Sequence, residues 1–165
     1  MTARVAKTAL VFGVALFYTL VVFNNVTDYA SNYQFIRHVL LMDSTAPGNH
    51  GMWRAIGYPV VDSSFYFTII AWEFAAMLLC WWGGLGLAKA LKRDAQAFQL
   101  AKNPAIAGLT LGLLLWLVAF LAVGGEWFLM WQSKTWNGQE AASRMFTVVG
   151  IVLVLLLLPE PQERR

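Results

Sequence analysis

Four long apolar blocks constrain this chain more than any other feature of its sequence. They cover residues 5–23, 64–88, 104–123 and 141–158, so each contains 18 to 25 residues. A helix rises about 1.5 Å per residue, and about 20 apolar residues therefore span the ~30 Å hydrocarbon core of a bilayer. The sequence predicts an all-α membrane protein with four transmembrane helices.

The composition agrees with a membrane location. Hydrophobic residues make up 59% of the chain and charged residues 13%, whereas a soluble domain carries about a quarter charged residues. The length of 165 residues fits a single membrane domain, residues 1–165. The net charge of +3 does not indicate nucleic-acid binding, because the basic residues flank the apolar blocks. The expected partner is the lipid bilayer.

The basic residues also predict an orientation. Eight lie beside block ends that would share one side of the membrane: Arg4, Lys7, Lys89, Lys92, Arg93, Lys102, Arg164 and Arg165. The other side has four: Arg37, Arg54, Lys134 and Arg144. Cytoplasmic segments carry the excess of Lys and Arg. We therefore expect both termini and the loop 89–103 in the cytoplasm, and the loops 24–63 and 124–140 on the outer side.

The first block has the charged start and apolar centre of a signal peptide. The residues after it, Asn24-Asn25-Val26-Thr27-Asp28, do not form a small-x-small cleavage site. We expect an uncleaved signal anchor.

The first outer loop is long enough to have structure of its own. Ser31 and Gln34 have capping-box spacing, and apolar residues follow at helical spacing, namely Phe35, Ile36, Val39, Leu40 and Met42. This pattern predicts a short helix in the outer interface, as part of a structured outer cap on the four helices.

Small residues in two of the blocks indicate close helix packing. Gly83, Gly84 and Gly86 lie near the end of the second block, where they indicate either close packing or a flexible end, and Gly108 and Gly112 lie four residues apart in the third. Such spacing lets helix backbones approach one another.

Glu73 is a carboxylic acid near the middle of the second block. A charge at that depth is costly and faces a bundle interior, a cavity or a partner. One interpretation is structural, with a neutral carboxyl group hydrogen-bonded to Tyr66, Thr110 or a backbone carbonyl. The other is functional, with Glu73 in proton relay, cation coordination or quinone contact.

Polar residues of the predicted outer face are the other candidates for a functional site. They are Asn25, Asp28, Arg37, His38, Asp43, Arg54 and Glu126. In the structural interpretation they form an ion-paired lid, in which Arg54, Arg37 or Lys134 pairs with Glu126. In the functional interpretation they form a ligand-binding surface.

The sequence predicts no cofactor and no metal site. His38 and His50, the two histidines, both lie in the first outer loop, so a bis-His haem inside the bundle is not expected. The spacing of His38, Asp43 and His50 matches no recognised metal-binding pattern. No nucleophile elbow, zinc-protease motif or phosphate-binding loop is present, so no catalytic residue is predicted and the balance is against an enzyme.

Several polar segments are distinctive. They are 23–32 (FNNVTDYASN), 37–43 (RHVLLMD), 53–56 (WRAI), 124–133 (GGEWFLMWQS) and 136–139 (WNGQ). With these segments the chain resembles a bacterial family of predicted small integral membrane proteins, domain of unknown function 2165. The resemblance covers nearly the whole chain and implies a bacterial inner-membrane location. It implies no reaction, ligand or site residue.

Three classes of function remain. The first is a non-catalytic accessory or stabilising subunit of a larger inner-membrane complex, with other membrane subunits or a second copy as partners. The second is a small transporter or channel that uses Glu73. The third is an outer-face ligand-binding protein or enzyme. We expect the first.

Overall fold

The structure is a computed structural model that describes residues 1–160. Its helices are α1 (Thr2–Thr27), α2 (Tyr29–Leu41), α3 (Pro59–Ala90), α4 (Ala95–Ala101), α5 (Asn103–Leu114) and α6 (Gln139–Leu157). The helix α5 continues without a break as a π-helical segment, Leu115–Trp127. No strand occurs within residues 1–160. Four stretches are long and apolar enough to cross a membrane, which confirms the all-α prediction: Thr2–Thr27, Pro59–Ala90, Ala95–Trp127 and Gln139–Leu157.

The bundle has two different ends. The terminal end carries Met1, α4 and Glu160, and the cap end carries α2 and the segment 124–138. The helices extend past the predicted blocks, since α1 ends at Thr27 and α3 begins at Pro59. The helices are longer than the blocks because an apolar block marks only the part of a helix that crosses hydrocarbon, and the helix itself continues into the polar region beside the membrane. Arg164 and Arg165, which contributed to the orientation prediction, lie outside the described residues.

The predicted short helix is present at the cap end as α2. It begins at Tyr29, two residues before Ser31, and no side chain caps its start. Asp28 alone separates it from α1, with backbone angles φ −117° and ψ 51° that lie outside the helical region. The buried face of α2, which includes Ile36 and Leu40, packs in one cluster with Tyr66 of α3.

One face of α3 holds the bundle together. Buried positions on this face recur at intervals of three and four residues from Glu73 onward, and Tyr66 lies seven residues before Glu73: Tyr66, Glu73, Ala76, Cys80, Gly83, Leu87 and Ala90. Residues at this spacing lie on one side of a helix, as in a coiled-coil seam. This buried stripe faces α1 and α5, which are the main packing neighbours of α3.

Glycines allow these helices to approach closely, as the sequence predicted. A Cβ atom at Gly83 would overlap the backbone nitrogen of Ala105 on α5. A Cβ atom at Gly108 would overlap Cys80 on α3, and one at Gly112 would overlap the Tyr18 ring on α1. The glycines therefore act by leaving space for a neighbouring helix.

We predict that Gly83→Ala lowers the unfolding free energy by about 1–3 kcal/mol, because the new methyl group must push α5 away from α3. Gly13→Ala is the matched control, since nothing lies within 4 Å of a Cβ atom built there. Denaturation of both variants in mixed micelles measures the difference. Equal stability of the two variants would show that the close contact at Gly83 contributes nothing.

The terminal end is closed by a buried ion cluster around Glu160. Lys7 and Lys102 each place Nζ near Glu160 Oε1, at 2.7 and 2.8 Å, and Arg4 Nε lies 3.3 Å from Oε2. Main-chain carbonyls accept most of the remaining hydrogen bonds; for example, Arg4 donates to the carbonyl of Arg93 at 2.6 Å. The cluster links α1, the turn before α4, the start of α5 and the chain after α6. In the sequence the three basic residues indicate only the orientation of the chain, and their contact with Glu160 is not predicted.

The cluster determines the charge state of Glu160. Burial of the carboxyl group favours its neutral form, but hydrogen bonds from Lys102 and Lys7 outweigh burial and lower the pKa of Glu160 to about 2. Lys102 is 0% exposed and also donates to Gln99 and to the carbonyl of Leu158. Its ammonium group therefore has three acceptors inside the protein: Glu160, Gln99 and the carbonyl of Leu158.

We predict that Glu160→Gln lowers the unfolding free energy by about 3 kcal/mol near neutral pH, because three buried cations lose their anion. Since the pKa of Glu160 is lower in the folded chain, its contribution is complete above about pH 4.5 and is lost as the pH falls toward 2. The stability difference between wild type and variant should therefore shrink over that range.

The control for this change is Glu140→Gln, which alters an exposed carboxylate in the first turn of α6. We expect an effect below about 1 kcal/mol there, from the helix dipole alone. A wild-type advantage over Glu160→Gln that stays constant down to pH 2 would contradict the ion-cluster assignment.

Candidate functional site

Glu73 belongs to a hydrogen-bonded group inside the cap half of the bundle. The side chain is 2% exposed, and its Oε2 accepts a hydrogen bond of 2.6 Å from Asn25 Nδ2. The Tyr66 hydroxyl donates to the carbonyl of Asn25 at 3.0 Å and lies 3.3 Å from Asn25 Oδ1. Asn25 is therefore the direct partner of Glu73. Of the predicted partners, Tyr66 reaches Glu73 only through Asn25, and Thr110 is exposed elsewhere on α5.

The fold explains why these three residues meet. Tyr66 and Glu73 lie seven residues apart on the buried stripe of α3, which separates them by about 10 Å along the helix. Asn25 lies in the last turn of α1, which packs beside α3. Its amide reaches across from α1 and fills the interval between the two α3 side chains.

A cavity of about 270 Å³ adjoins this group. Its polar lining consists of Asn25, Asn32, Tyr66 and Glu73. Aromatic rings supply much of the remainder, namely Phe35, Trp116 and Phe120. The lining comes from α1, α2, α3, α6 and the π-helical segment, so the cavity lies under the cap and between the crossing helices.

The π-helical segment supplies two of those aromatic rings. The Trp116 and Phe120 rings lie 4.9 Å apart, and Trp116 Nε1 donates to the Tyr18 hydroxyl at 3.0 Å. π-Helical geometry occurs mostly as single turns, often at functional sites, whereas this segment has 13 residues. The hydrogen bond from Trp116 fixes its ring beside the cavity.

The Glu73 carboxyl group has no cationic partner within residues 1–160. Within residues 1–160 the ion pairs join Glu160 to Arg4, Lys7 and Lys102, and the His38 ring, which is charged only when protonated, contacts Asp43. None of these pairs includes Glu73, whose side chain has one amide donor in the described part of the chain. The cavity therefore offers an acceptor suited to a ligand that donates hydrogen bonds or carries positive charge.

Two groups of the predicted outer residues lie apart from this cavity. His38 Nδ1 lies 2.6 Å from Asp43 Oδ2, and the His38 ring stacks on Trp136 at 4.6 Å and 6°. Arg54 lies against the rings of Trp53 and Trp127 and donates to the carbonyl of Trp127 at 3.1 Å. These contacts tie the cap segments together.

The remaining outer candidates are scattered. Asp28, Arg37 and Glu126 have exposed side chains, and Arg54 approaches Glu126 at its carbonyl oxygen rather than at its carboxylate. Of the outer candidates, Asn25 is the one that contacts Glu73. Residues 1–160 contain no group of three or more His, Cys, Asp or Glu side chains arranged to hold a metal ion.

The site candidates predicted from the sequence omit three polar residues that the structure buries or places at the cavity. Tyr66 was considered only as a direct partner of Glu73, although its position seven residues earlier places it on the same helix face. Asn32, which lines the cavity, was not singled out. Asp62 falls within the predicted outer loop 24–63, whereas in the structure it is buried in the first turn of α3 and its Oδ1 has no partner in residues 1–160.

The comparison with protein families identifies the chain. The model of a family described as predicted small integral membrane protein, domain of unknown function 2165, matches residues 3–159. The chain belongs to this family. This integral membrane protein has no significant match among curated proteins or solved structures.

We predict that Asn25→Ala lowers the unfolding free energy by about 1–3 kcal/mol, because it removes the donor to Glu73 and one acceptor of the Tyr66 hydroxyl. Asn24→Ala is the matched control, since Asn24 is the preceding residue and its side chain is exposed. Denaturation in mixed micelles compares the two. An equal loss in both variants would mean that the Asn25 amide has no special role.

Proposed function

We propose that this member of the family binds a small ligand with a cationic, hydrogen-bond-donating head, and that Glu73 is the acceptor for that head. The observation that carries the proposal is the position of Glu73. It is buried, it borders a cavity of about 270 Å³, and no cation within residues 1–160 pairs with it.

The physical argument rests on the cost of an incompletely paired acid inside a membrane. Buried charges are paired or coordinate an ion, and acids at membrane depth commonly mark a substrate or ion pathway. A positively charged ligand would complete the pairing that Asn25 begins. The Trp116 and Phe120 rings that line the cavity favour the same class of ligand, because a cation is attracted to an aromatic face.

The proposed setting is a bacterial inner membrane with both termini in the cytoplasm. The excess of Lys and Arg near the terminal end supports this orientation. The cap end then faces the periplasm, and the ligand reaches the cavity from the outer side of the membrane, beside α2.

Transport of a cationic substrate is one function that such a binding site could serve. Glu73 would bind a cationic substrate from the outer side and release it on the other. A substrate flux into liposomes that Glu73→Gln abolishes would support this version.

The accessory-subunit hypothesis stays a prediction from the sequence. Native mass spectrometry of the protein, extracted with its own lipids from its own host, tests it directly. A protein partner present in fixed proportion would favour it, and its absence would leave ligand binding as the better account.

We predict that Glu73→Gln weakens the binding of n-butylamine at least about tenfold, because a charge-assisted hydrogen bond contributes about 1.5–3 kcal/mol. Gln keeps the shape of Glu73 and retains an oxygen that accepts from Asn25, so the variant should fold. Isothermal titration calorimetry in nanodiscs near neutral pH, where the amine is cationic, measures the affinity.

The control is Glu126→Gln, which neutralises an exposed carboxylate at the cap end. We expect its affinity to equal that of the wild type. If Glu126→Gln abolishes binding while Glu73→Gln leaves it intact, the ligand binds on the outer face and the Glu73 proposal is wrong.

A further inference from the structure

A second cavity lies directly beside the Glu73 cavity and is almost entirely apolar. This lateral groove has a volume of about 360 Å³ and is formed by α2, α3 and the π-helical segment. Residues that define it include Val39, Phe65, Trp72 and Val118. Ile36 and Ile69 line both the groove and the Glu73 cavity, so these two side chains form the wall between them.

The few hydroxyl groups in the groove are already occupied. Ser64 Oγ donates to the carbonyl of Val60 at 2.7 Å, and Thr68 Oγ1 donates to the carbonyl of Ser64 at 2.8 Å. Both bonds stay within α3. The groove therefore offers van der Waals contact and little hydrogen bonding to an occupant.

The groove opens on the side of the bundle rather than at an end. Phe65 and Val118 at its edge are partly exposed, and both belong to stretches that are long and apolar enough to cross the membrane. We therefore expect this surface to face the hydrocarbon of the bilayer. The groove offers little hydrogen bonding to a polar group, and Glu73 in the adjoining cavity supplies an acceptor.

We propose that the ligand is a single-chain amphiphile, with its cationic head at Glu73 and its hydrocarbon chain in the lateral groove. The inference rests on the proposed function, because it specifies the part of the ligand that Glu73 does not contact. Head and chain match the two cavities in charge and polarity. Ile36 and Ile69 are the side chains that must shift to let one molecule occupy both.

Affinity alone is a poor test of the chain site. A hydrocarbon chain leaves an environment as apolar as the groove when it enters from the bilayer, so burial supplies no hydrophobic driving force. The test of the chain site is therefore the position of the ligand's hydrocarbon chain on the protein. The probe is dodecylamine with a photoreactive diazirine near its methyl end, in nanodiscs of zwitterionic phosphatidylcholine.

After illumination, peptide mass spectrometry should find the label enriched on groove residues of α3 and the π-helical segment. The reference surface is the exposed face of α6 around Val154, which lies outside the groove. In Glu73→Gln we expect the enrichment to fall roughly tenfold, in line with the loss of the head contact.

Val118→Trp tests the groove itself, because the larger side chain should fill it. Leu117→Trp is the matched control, since Leu117 is the adjacent residue, is 43% exposed against 40% for Val118, and does not line the groove. We expect Val118→Trp to abolish the enrichment and to leave butylamine binding unchanged, and Leu117→Trp to change neither. Thr68→Trp, on the α3 side of the groove, replaces Val118→Trp if that variant does not accumulate.

The outcomes separate the two proposals. If butylamine binding depends on Glu73 but the label spreads evenly over the bilayer-facing helices, or persists in the groove-filling variant, the chain site is wrong and the head site stands. If butylamine binding does not depend on Glu73, the proposed function is wrong, and the chain inference that rests on it is also overturned.

Discussion

The close contact of α3 with α1 and α5 is the constraint on which the rest of the structure depends. Gly83 and Gly108 leave no space for side chains where α3 meets α5, so the two backbones nearly touch. Contact at that distance fixes the rotation of α3 about its own axis. Glu73 lies on the same face as Gly83, and the packing that buries the glycine therefore also turns the acid into the bundle. The burial of Glu73 therefore follows from helix packing. Around the buried carboxyl group, Asn25 donates one hydrogen bond and a cavity occupies the adjoining space.

The two ends of the bundle differ in the number of partners that surround a buried carboxyl group. At the terminal end three cations surround Glu160, and main-chain carbonyls accept further hydrogen bonds from them. At the cap end Glu73 has one amide donor and an adjoining cavity. A cluster in which three cations share one carboxylate and donate their other hydrogen bonds to the protein is suited to hold helix ends together. An acceptor with one donor and an adjoining cavity is suited to receive a ligand. This contrast is the reason for assigning stability to one end and binding to the other.

The helices and the polar contacts differ in how far the sequence predicts them. Apolar blocks located all four crossing helices because hydrocarbon admits long uninterrupted apolar segments. The spacing of Tyr66, Glu73, Ala76, Cys80 and Gly83, at intervals of seven, three, four and three residues, also indicates that they share one face of α3. Nothing in the local pattern distinguishes the π-helical segment from an α-helix. The partners of Glu73 and Glu160 come from other helices, which a single-sequence pattern does not pair.

The sequence by itself determined that the chain is an all-α membrane protein, where its apolar helices lie, and that Glu73 is an acid at membrane depth. These properties depend on the transfer of successive residues from water to hydrocarbon, which composition and spacing along one segment express directly. Tertiary structure decided that Asn25 rather than Thr110 meets Glu73, that Arg4, Lys7 and Lys102 meet Glu160, and that two cavities share a wall. Those contacts depend on the rotation and distance between helices, and packing sets both only when all the helices are in place.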